Sequence, residues 1–194
     1  MLNIVLFGPP GAGKGTQAEF LIKKFQLVHV STGDLFRKNI GEGTELGKLA
    51  KSYIDKGQLV PDQVTVDMLK EAVMTSVKKG AKGFIFDGYP RNTHQAEVLD
   101  VFLKEQNIPV SIALALEVED EILIQRILKR GKTSGRVDDQ NEETIRERIT
   151  VYYKNTAILK GFYQKQDKLV VINGLGSIEE IAKRLEKAVM SVCK

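Results

Sequence analysis

Leu2-Asn3-Ile4-Val5-Leu6-Phe7 runs without a break into Gly8-Pro9-Pro10-Gly11-Ala12-Gly13-Lys14-Gly15-Thr16. The first six residues are apolar at nearly every position, the pattern of a strand buried on both faces of a sheet. Helical spacing follows over Thr16–Phe25. Between strand and helix stands the frame G-x-x-x-x-G-K, with Gly15 inserted so that Thr16 comes one place later than in the commonest form. Glycines let the main chain wrap closely around phosphate oxygens, with successive N–H groups pointing inward. The helix behind them adds the positive end of its dipole. Lys14 supplies a point charge for β- and γ-phosphates, and Thr16 a hydroxyl near metal and phosphates. The strand–loop–helix context separates this reading from a plain Gly/Pro turn. It leaves the reaction open, because such a loop serves many chemistries.

Similar apolar runs recur at Val28–Val30, Gly83–Phe86, Val110–Leu116 and Leu169–Ile172. Helical spacing recurs at Asp62–Lys78, Thr93–Gln106, Glu119–Arg130, Glu142–Tyr163 and Ser177–Val192, and the Pro61–Asp62 pair suits a helix N-terminus. The alternation predicts an α/β fold, a doubly wound parallel sheet of five strands flanked by helices with right-handed crossovers. Two stretches exceed what a crossover needs. Ser31–Lys82 holds several short helices between the second and third strands, and Lys129–Asn141 is polar, charged and glycine-containing, like a mobile flap. Both are candidates for moving pieces on a rigid sheet.

The chain has 194 residues, 42% hydrophobic and 28% charged, which excludes a disordered chain. No apolar run approaches the ~20 residues needed to span a bilayer. Cys193 is the only cysteine, so an intrachain disulfide and a multi-cysteine zinc site are excluded. The opening MLNIVLFGPP lacks a basic n-region and does not read as a secretory signal, which makes a cytoplasmic setting the expectation. A net charge of +4 is a weak hint of anionic partners. No RNA-binding motif or aromatic stacking stripe accompanies it, and the guanine-reading Asn-Lys-x-Asp of GTPase switches is absent from the sequence.

Further motifs follow the remaining strands. Ser31-Thr32-Gly33-Asp34 leads into a short helix carrying Arg37, on its own no more than an N-capped helix with a surface arginine. Asp87-Gly88-Tyr89-Pro90-Arg91 follows the third strand, with Gln95 four residues on. An Asp at the carboxyl end of a parallel strand points into the crevice where ligands bind. There it can hold Mg²⁺ through water, and Arg91 can offer a bidentate fork to phosphate. Arg126 and Arg130 are four apart and share a helix face, which could equally be a solvated basic face. Arg146 and Arg148 lie roughly 200° apart around a helix, so they cannot both face one site. They straddle the Ile145/Ile149/Tyr152 stripe, and geometry alone does not choose between them.

Gly13-Lys14-Gly15-Thr16-Gln17 resembles the loop of nucleoside monophosphate kinases, adenylate kinases in particular. The Ser-Thr-Gly-Asp…Arg and Asp-Gly-Tyr-Pro-Arg motifs are similar to that family's as well. The resemblance implies a three-layer P-loop nucleoside triphosphate hydrolase-like fold. It implies a core of 1–30, 61–128 and 141–194, an AMP-binding helical insertion at 31–60 and a short lid at about 129–140. It also implies reversible phosphoryl transfer from MgATP to AMP, giving two ADP, for adenine nucleotide homeostasis.

ATP would be held by Gly11, Ala12, Gly13, Lys14, Gly15, Thr16 and Arg130, with the backbone of Asn173-Gly174-Leu175-Gly176, Gly176 above all, against its adenine. AMP would meet Thr32, Arg37, Gln58, Leu59, Val60, Gly88, Tyr89, Pro90, Arg91, Gln95, Arg136 and Arg148. Within that set Thr32 lies near the base, where pyrimidine monophosphate kinases typically carry alanine, Arg37 grips the phosphate and Gln95 bonds the adenine. Lys14, Arg91, Arg126, Arg130, Arg136 and Arg148 carry the catalytic charge, so the resemblance selects Arg148 over Arg146. Mg²⁺ is expected at Asp87 and Thr16 through water, without zinc. The expected partners are ATP, AMP and ADP, with no nucleic acid and no membrane, and the expected state is a monomer. The AMP phosphate is already an anionic nucleophile, so no general base is needed, and His29 and His94 read as structural or exposed.

Overall fold

The predicted runs pair into one sheet in the computed structural model, which describes residues 1–193. Strands β1 (Leu2–Phe7), β2 (Val28–Ser31), β3 (Gly83–Asp87), β4 (Ile112–Glu117) and β5 (Leu169–Asn173) lie in the order β2-β3-β1-β4-β5, every pair parallel. The helices are α1 (Lys14–Phe25), α2 (Thr32–Gly41), α3 (Glu45–Ile54), α4 (Asp62–Lys78), α5 (Thr93–Glu105), α6 (Asp120–Ser134), α7 (Glu142–Val151), α8 (Leu159–Gln164) and α9 (Ile178–Met190). Strand alternation sends Ile4 and Leu6 to one face and Val5 and Phe7 to the other. Ile4 and Leu6 pack with residues of α1, α6, α7 and α9, whereas Val5 and Phe7 pack with α4, α5 and α8. The result is the three-layer arrangement that the alternation predicts.

The chain leaves β1 toward β2 and leaves β4 toward β5, so the crossovers diverge between two neighbouring strands. That divergence opens a crevice over their carboxyl ends, the usual place for a ligand in an open α/β sheet. Asn3 is the polar exception in β1 and is fully buried. Its amide nitrogen donates to the Ile108 and Pro109 carbonyls, and its amide oxygen accepts from Phe84 N–H. These bonds hold 108–109 out of the ladder, which is why β4 begins at Ile112 and not at Val110.

The stretch Ser31–Lys82 folds as α2, α3 and α4, and its first two helices, with Val60 and with Val64 and Met68 of α4, build an apolar cluster apart from the two that flank the sheet, around Phe36 and Ala50. Two other expectations need correction. Lys129–Ser134 is not irregular but helical, the end of α6, which stops where Gly135 turns to a φ of 66°. The helix can continue because Gly131 lies against the main chain of Asp139, where a Cβ would collide. Asp139 itself is fully buried, so the shorter connection Gly135–Asn141 has a core-like anchor. The helix expected over Glu142–Tyr163 is interrupted by a π-helical turn, Tyr152–Thr156, that buries both of its end residues. No helix among the described residues is long and apolar enough to cross a membrane.

Candidate active site

The loop after β1 is shaped by packing at one end and by open space at the other. A side chain at Gly8 would strike the Leu116 carbonyl, and one at Gly11 would strike Ile127 of α6. A Cβ at Gly13 or Gly15 would meet nothing within 4 Å. Gly13 still needs glycine for its φ of 91°, but Gly15 has no packing reason to be glycine and sits in the first helical turn. Glycine there costs roughly 1 kcal/mol against alanine. The open space above it has room for an anion. Gly13 caps α1 without a side-chain hydrogen bond, and no acidic residue lies in the first turn. The helix N-terminus therefore faces the space with its N–H groups and dipole uncompensated. Thr16 lies exposed two residues into the helix.

Lys14 folds back over this loop, its Nζ donating to the carbonyls of Gly8 and Pro9 at 2.9 and 3.0 Å. Burial pulls its pKa down to about 8. Asp87 opposes that fall, and Arg91, Arg148 and Arg130 add to it. Burial, then Arg148, lowers the pKa of Arg91 as well. Burial, then Arg37 and Arg130, does the same for Arg136. Cations that depress one another in a desolvated space gain stability when an anion enters.

One cavity opens from Lys14 and Gly8 of the loop past Arg91 and Arg148 to Thr32, Arg37, Gln58, Leu59, Val60 and Gln95. Gly88 and Pro90 complete its floor, and Tyr89 is buried beneath, its hydroxyl donating to the Gln95 carbonyl at 3.3 Å. The Gly88 carbonyl accepts from Thr32 Oγ1 at 2.9 Å and from Arg91 Nε at 2.7 Å. Thr156, at the end of the π-helical turn, donates to the Arg91 carbonyl at 2.6 Å. Arg37 pairs with Asp34 at the mouth. Gly57, at a φ of 72°, lies so close to Arg148 and Thr144 that a side chain there would push α7 away.

Arg148 and Arg146 part company. Arg148 Nη1 donates to Asp139 Oδ1 at 2.7 Å and pairs with Asp138 at 2.9 Å, and its side chain lines the cavity. Arg146 reaches solvent and pairs with Glu142. Arg130 holds Asp139 with both arms of its guanidinium, at 2.6 and 2.9 Å. Burial alone would raise the Asp139 pKa, but the hydrogen bonds from Arg130 and Arg148 keep it below the usual carboxylate value. Arg126, one turn before Arg130, faces the turn after β5 instead and donates to the Gly174 carbonyl at 3.2 Å. Arg184 of α9 holds that turn from its other side, donating to the Asn173 and Leu175 carbonyls at 2.8 and 2.6 Å. Gly176 follows at a φ of 120°, next to the Ser177/Glu180 capping box.

Asp87 ends β3 beside this group and is nearly buried. His29 Nε2 lies 3.5 Å from its carboxylate, a contact that raises the His29 pKa. One carboxylate plus the Thr16 hydroxyl is a sparse oxygen set, which fits an Mg²⁺ that keeps most of its water and arrives with a polyphosphate.

The motif reading missed Asp62, Asp139, Thr156 and Arg184. Asp62 and Thr156 act through partners 33 and 65 positions away, Asp139 and Arg184 through partners 9 and 11 away in other elements, and only the Pro61–Asp62 helix start left any local signal.

A strand–glycine loop–helix at the switch point, sharing one arginine-lined cavity with a pocket on its far side, defines a P-loop nucleoside monophosphate kinase. The sequence model of adenylate kinases matches residues 6–168. The chain is 56% identical to the adenylate kinase of Flavobacterium psychrophilum over 189 residues, 97% of this chain and 98% of that protein. It is 53% identical to that of Flavobacterium johnsoniae over 191 residues, covering 97% and 98%. To the adenylate kinase of Thermobifida fusca it is 45% identical over 190 residues, covering 98% and 99%. The chain belongs to the adenylate kinase family.

Proposed function

We infer that the family's reaction, MgATP plus AMP giving two ADP and the reverse, runs in the cavity between the Gly8–Thr16 loop and the Thr32–Gln95 pocket. The observation that carries this reading is the shared lining. Lys14 of the phosphate loop and Gln95 of the far pocket belong to one cavity, so a donor phosphate and an acceptor phosphate can meet there. Phosphoryl transfer asks little covalent work of the protein; alignment and charge stabilisation supply the rate.

The donor lies along Gly11, Ala12, Gly13, Lys14, Gly15 and Thr16, with Arg126 and the turn at Gly176 toward its base. The acceptor base lies among Thr32, Gln58, Leu59, Val60 and Gln95, and its phosphate is gripped by Arg37 and Arg91. Arg130, Arg136 and Arg148 meet the transferring group. The acceptor phosphate attacks as an anion, and no side chain has to remove a proton. Mg²⁺, bound through water to Asp87 and near Thr16, would neutralise charge on the donor's β- and γ-oxygens.

The division into a core of 1–30, 61–128 and 141–194, an AMP-binding insertion at 31–60 and a lid at about 129–140 belongs to the same reading. The separate apolar cluster around Phe36 supports the insertion. The Asp139 anchor between Arg130 and Arg148 gives the lid a held position from which to open. Lid closure expels water and limits ATP hydrolysis. The setting is taken as cytoplasmic and the state as monomeric, because one chain supplies both halves of the cleft, and size-exclusion chromatography tests the latter. Nucleic acid and membrane are not among the partners on this reading, since most of the arginines turn inward. The decisive assay measures ADP formed from ATP with AMP, UMP, CMP or GMP. AMP is expected to be the best acceptor, and a better pyrimidine would overturn the assignment of Thr32.

A further inference from the structure

The side-chain amide of Gln95 is not free to turn. Its Nε2 donates to Asp62 Oδ1 at 2.8 Å, and its Oε1 accepts from the main-chain N–H of Arg91, also at 2.8 Å. A carboxylate offers only lone pairs and a main-chain N–H only a proton. The reversed amide would set oxygen against carboxylate and NH₂ against N–H, two buried mismatches at a residue only 2% exposed. Asp62 is fixed in turn. Both of its oxygens accept from Asn92 Nδ2, at 3.0 and 3.1 Å, while Asn92 Oδ1 caps α5 by accepting the Gln95 N–H at 2.8 Å.

The two scaffold bonds use one hydrogen of Nε2 and one lone-pair direction of Oε1, so one donor and one acceptor remain, in fixed order. Gln95 lines the cavity. The edge of a 6-aminopurine carries an amino donor beside the N1 acceptor, which pairs with an amide in one orientation. A 6-oxopurine carries an oxygen acceptor beside an N1–H donor and needs the opposite orientation. We propose that Asp62 is a positioning residue that sets acceptor-base specificity: it locks the Gln95 amide so that 6-aminopurine monophosphates are matched and 6-oxopurine monophosphates are refused. The proposal rests on the reading of this cavity as the AMP site.

Steady-state kinetics of Asp62→Asn with AMP and with inosine monophosphate, ATP as donor, test it. A neutral amide at 62 can itself turn and tolerate the reversed Gln95. The ratio of kcat/KM for AMP over inosine monophosphate is expected to fall about tenfold or more, while KM for ATP stays within about twofold. A raised KM for AMP with an unchanged ratio would make Asp62 merely structural and overturn the proposal. Asp62→Ser, which keeps a good residue at the start of α4, carries the same expectation if the Asn variant does not fold. Gln95→Ala separates the two levels of inference. If it leaves KM for AMP unchanged, the cavity is not the AMP site. If it raises that KM while the Asp62 variants keep the wild-type ratio, only the lock is wrong.

Discussion

The two halves of the cleft present different parts of the chain to a ligand. The proposed donor half is mostly main chain: the loop Gly8–Thr16, with open space above Gly13 and Gly15, and the turn at Asn173–Gly176 pinned by Arg126 and Arg184. The proposed acceptor half is mostly side chain, with Thr32 bonded to the Gly88 carbonyl, Gln95 to Asp62, and the Arg91 main chain held by Thr156, all far away in sequence. Main-chain recognition fixes phosphate and tolerates most side-chain changes apart from glycine. Side-chain recognition can read a base, but every reader needs a second residue to hold it in register.

The largest expected effect falls where the halves meet. Arg91→Ala should lower kcat by about a thousandfold in a coupled ADP assay, and near-normal turnover would remove its phosphate role. Arg148→Ala and Arg146→Ala form the next test, because the two residues are neighbours in sequence and opposites in place. Loss of the first should cost about a hundredfold in kcat/KM. Loss of the second should stay within about twofold, since an exposed i,i+4 pair contributes little.

The pH dependence of donor binding is the third. Lys14 has a pKa near 8 in the free protein, and a polyphosphate favours its charged form. ATP affinity should therefore fall as pH rises through 8, by about tenfold for each unit above it. Calorimetry should show proton uptake on binding at that pH. Stability runs the other way. The folded pKa lies below the unfolded value of 10.5, so the cost of burying the ammonium is complete below pH 8 and fades as pH rises toward 10.5. Lys14→Arg, charged throughout, should flatten the binding profile.

The smallest effect sharpens the main-chain side. Gly15→Ala should raise KM for ATP several-fold, leave KM for AMP unchanged and stabilise the free protein by up to about 1 kcal/mol in denaturant melts. A variant that is both weaker and less stable would mean that packing, not ligand space, demands this glycine.

The contrast between the halves also explains what was legible in the sequence. Strands β1 to β5 and the Gly8–Thr16 loop declare themselves through short-range pattern, because burial on two faces and close phosphate approach restrict consecutive residues. The family resemblance supplied the expectation of acceptor residues that no local pattern marks. Gly131 reads as a helix breaker until Asp139 is seen to occupy the space of its side chain. The polar Asp139 reads as flap until the two arginines that neutralise it are in place. Asp62 looks like a helix start, and its bond to Gln95 spans 33 positions, beyond the reach of any periodicity. Arg148 was separable from Arg146 only by resemblance, because the two straddle the apolar stripe of α7 and differ only in the partners, Asp138 and Asp139 for Arg148 and Glu142 for Arg146, that folding brings to them.

Asp139 has one more consequence. Its carboxylate already holds Nε and Nη2 of Arg130 and Nη1 of Arg148, so on the roles assigned above an arriving phosphate meets arginines whose charge is partly neutralised and must share them with a resident anion. The net grip on any nucleotide is then the difference between two anions rather than the full attraction of the arginines. A resident anion of this kind weakens the grip of these two arginines on a phosphate, which suits a reaction that must run in either direction and let go of its products.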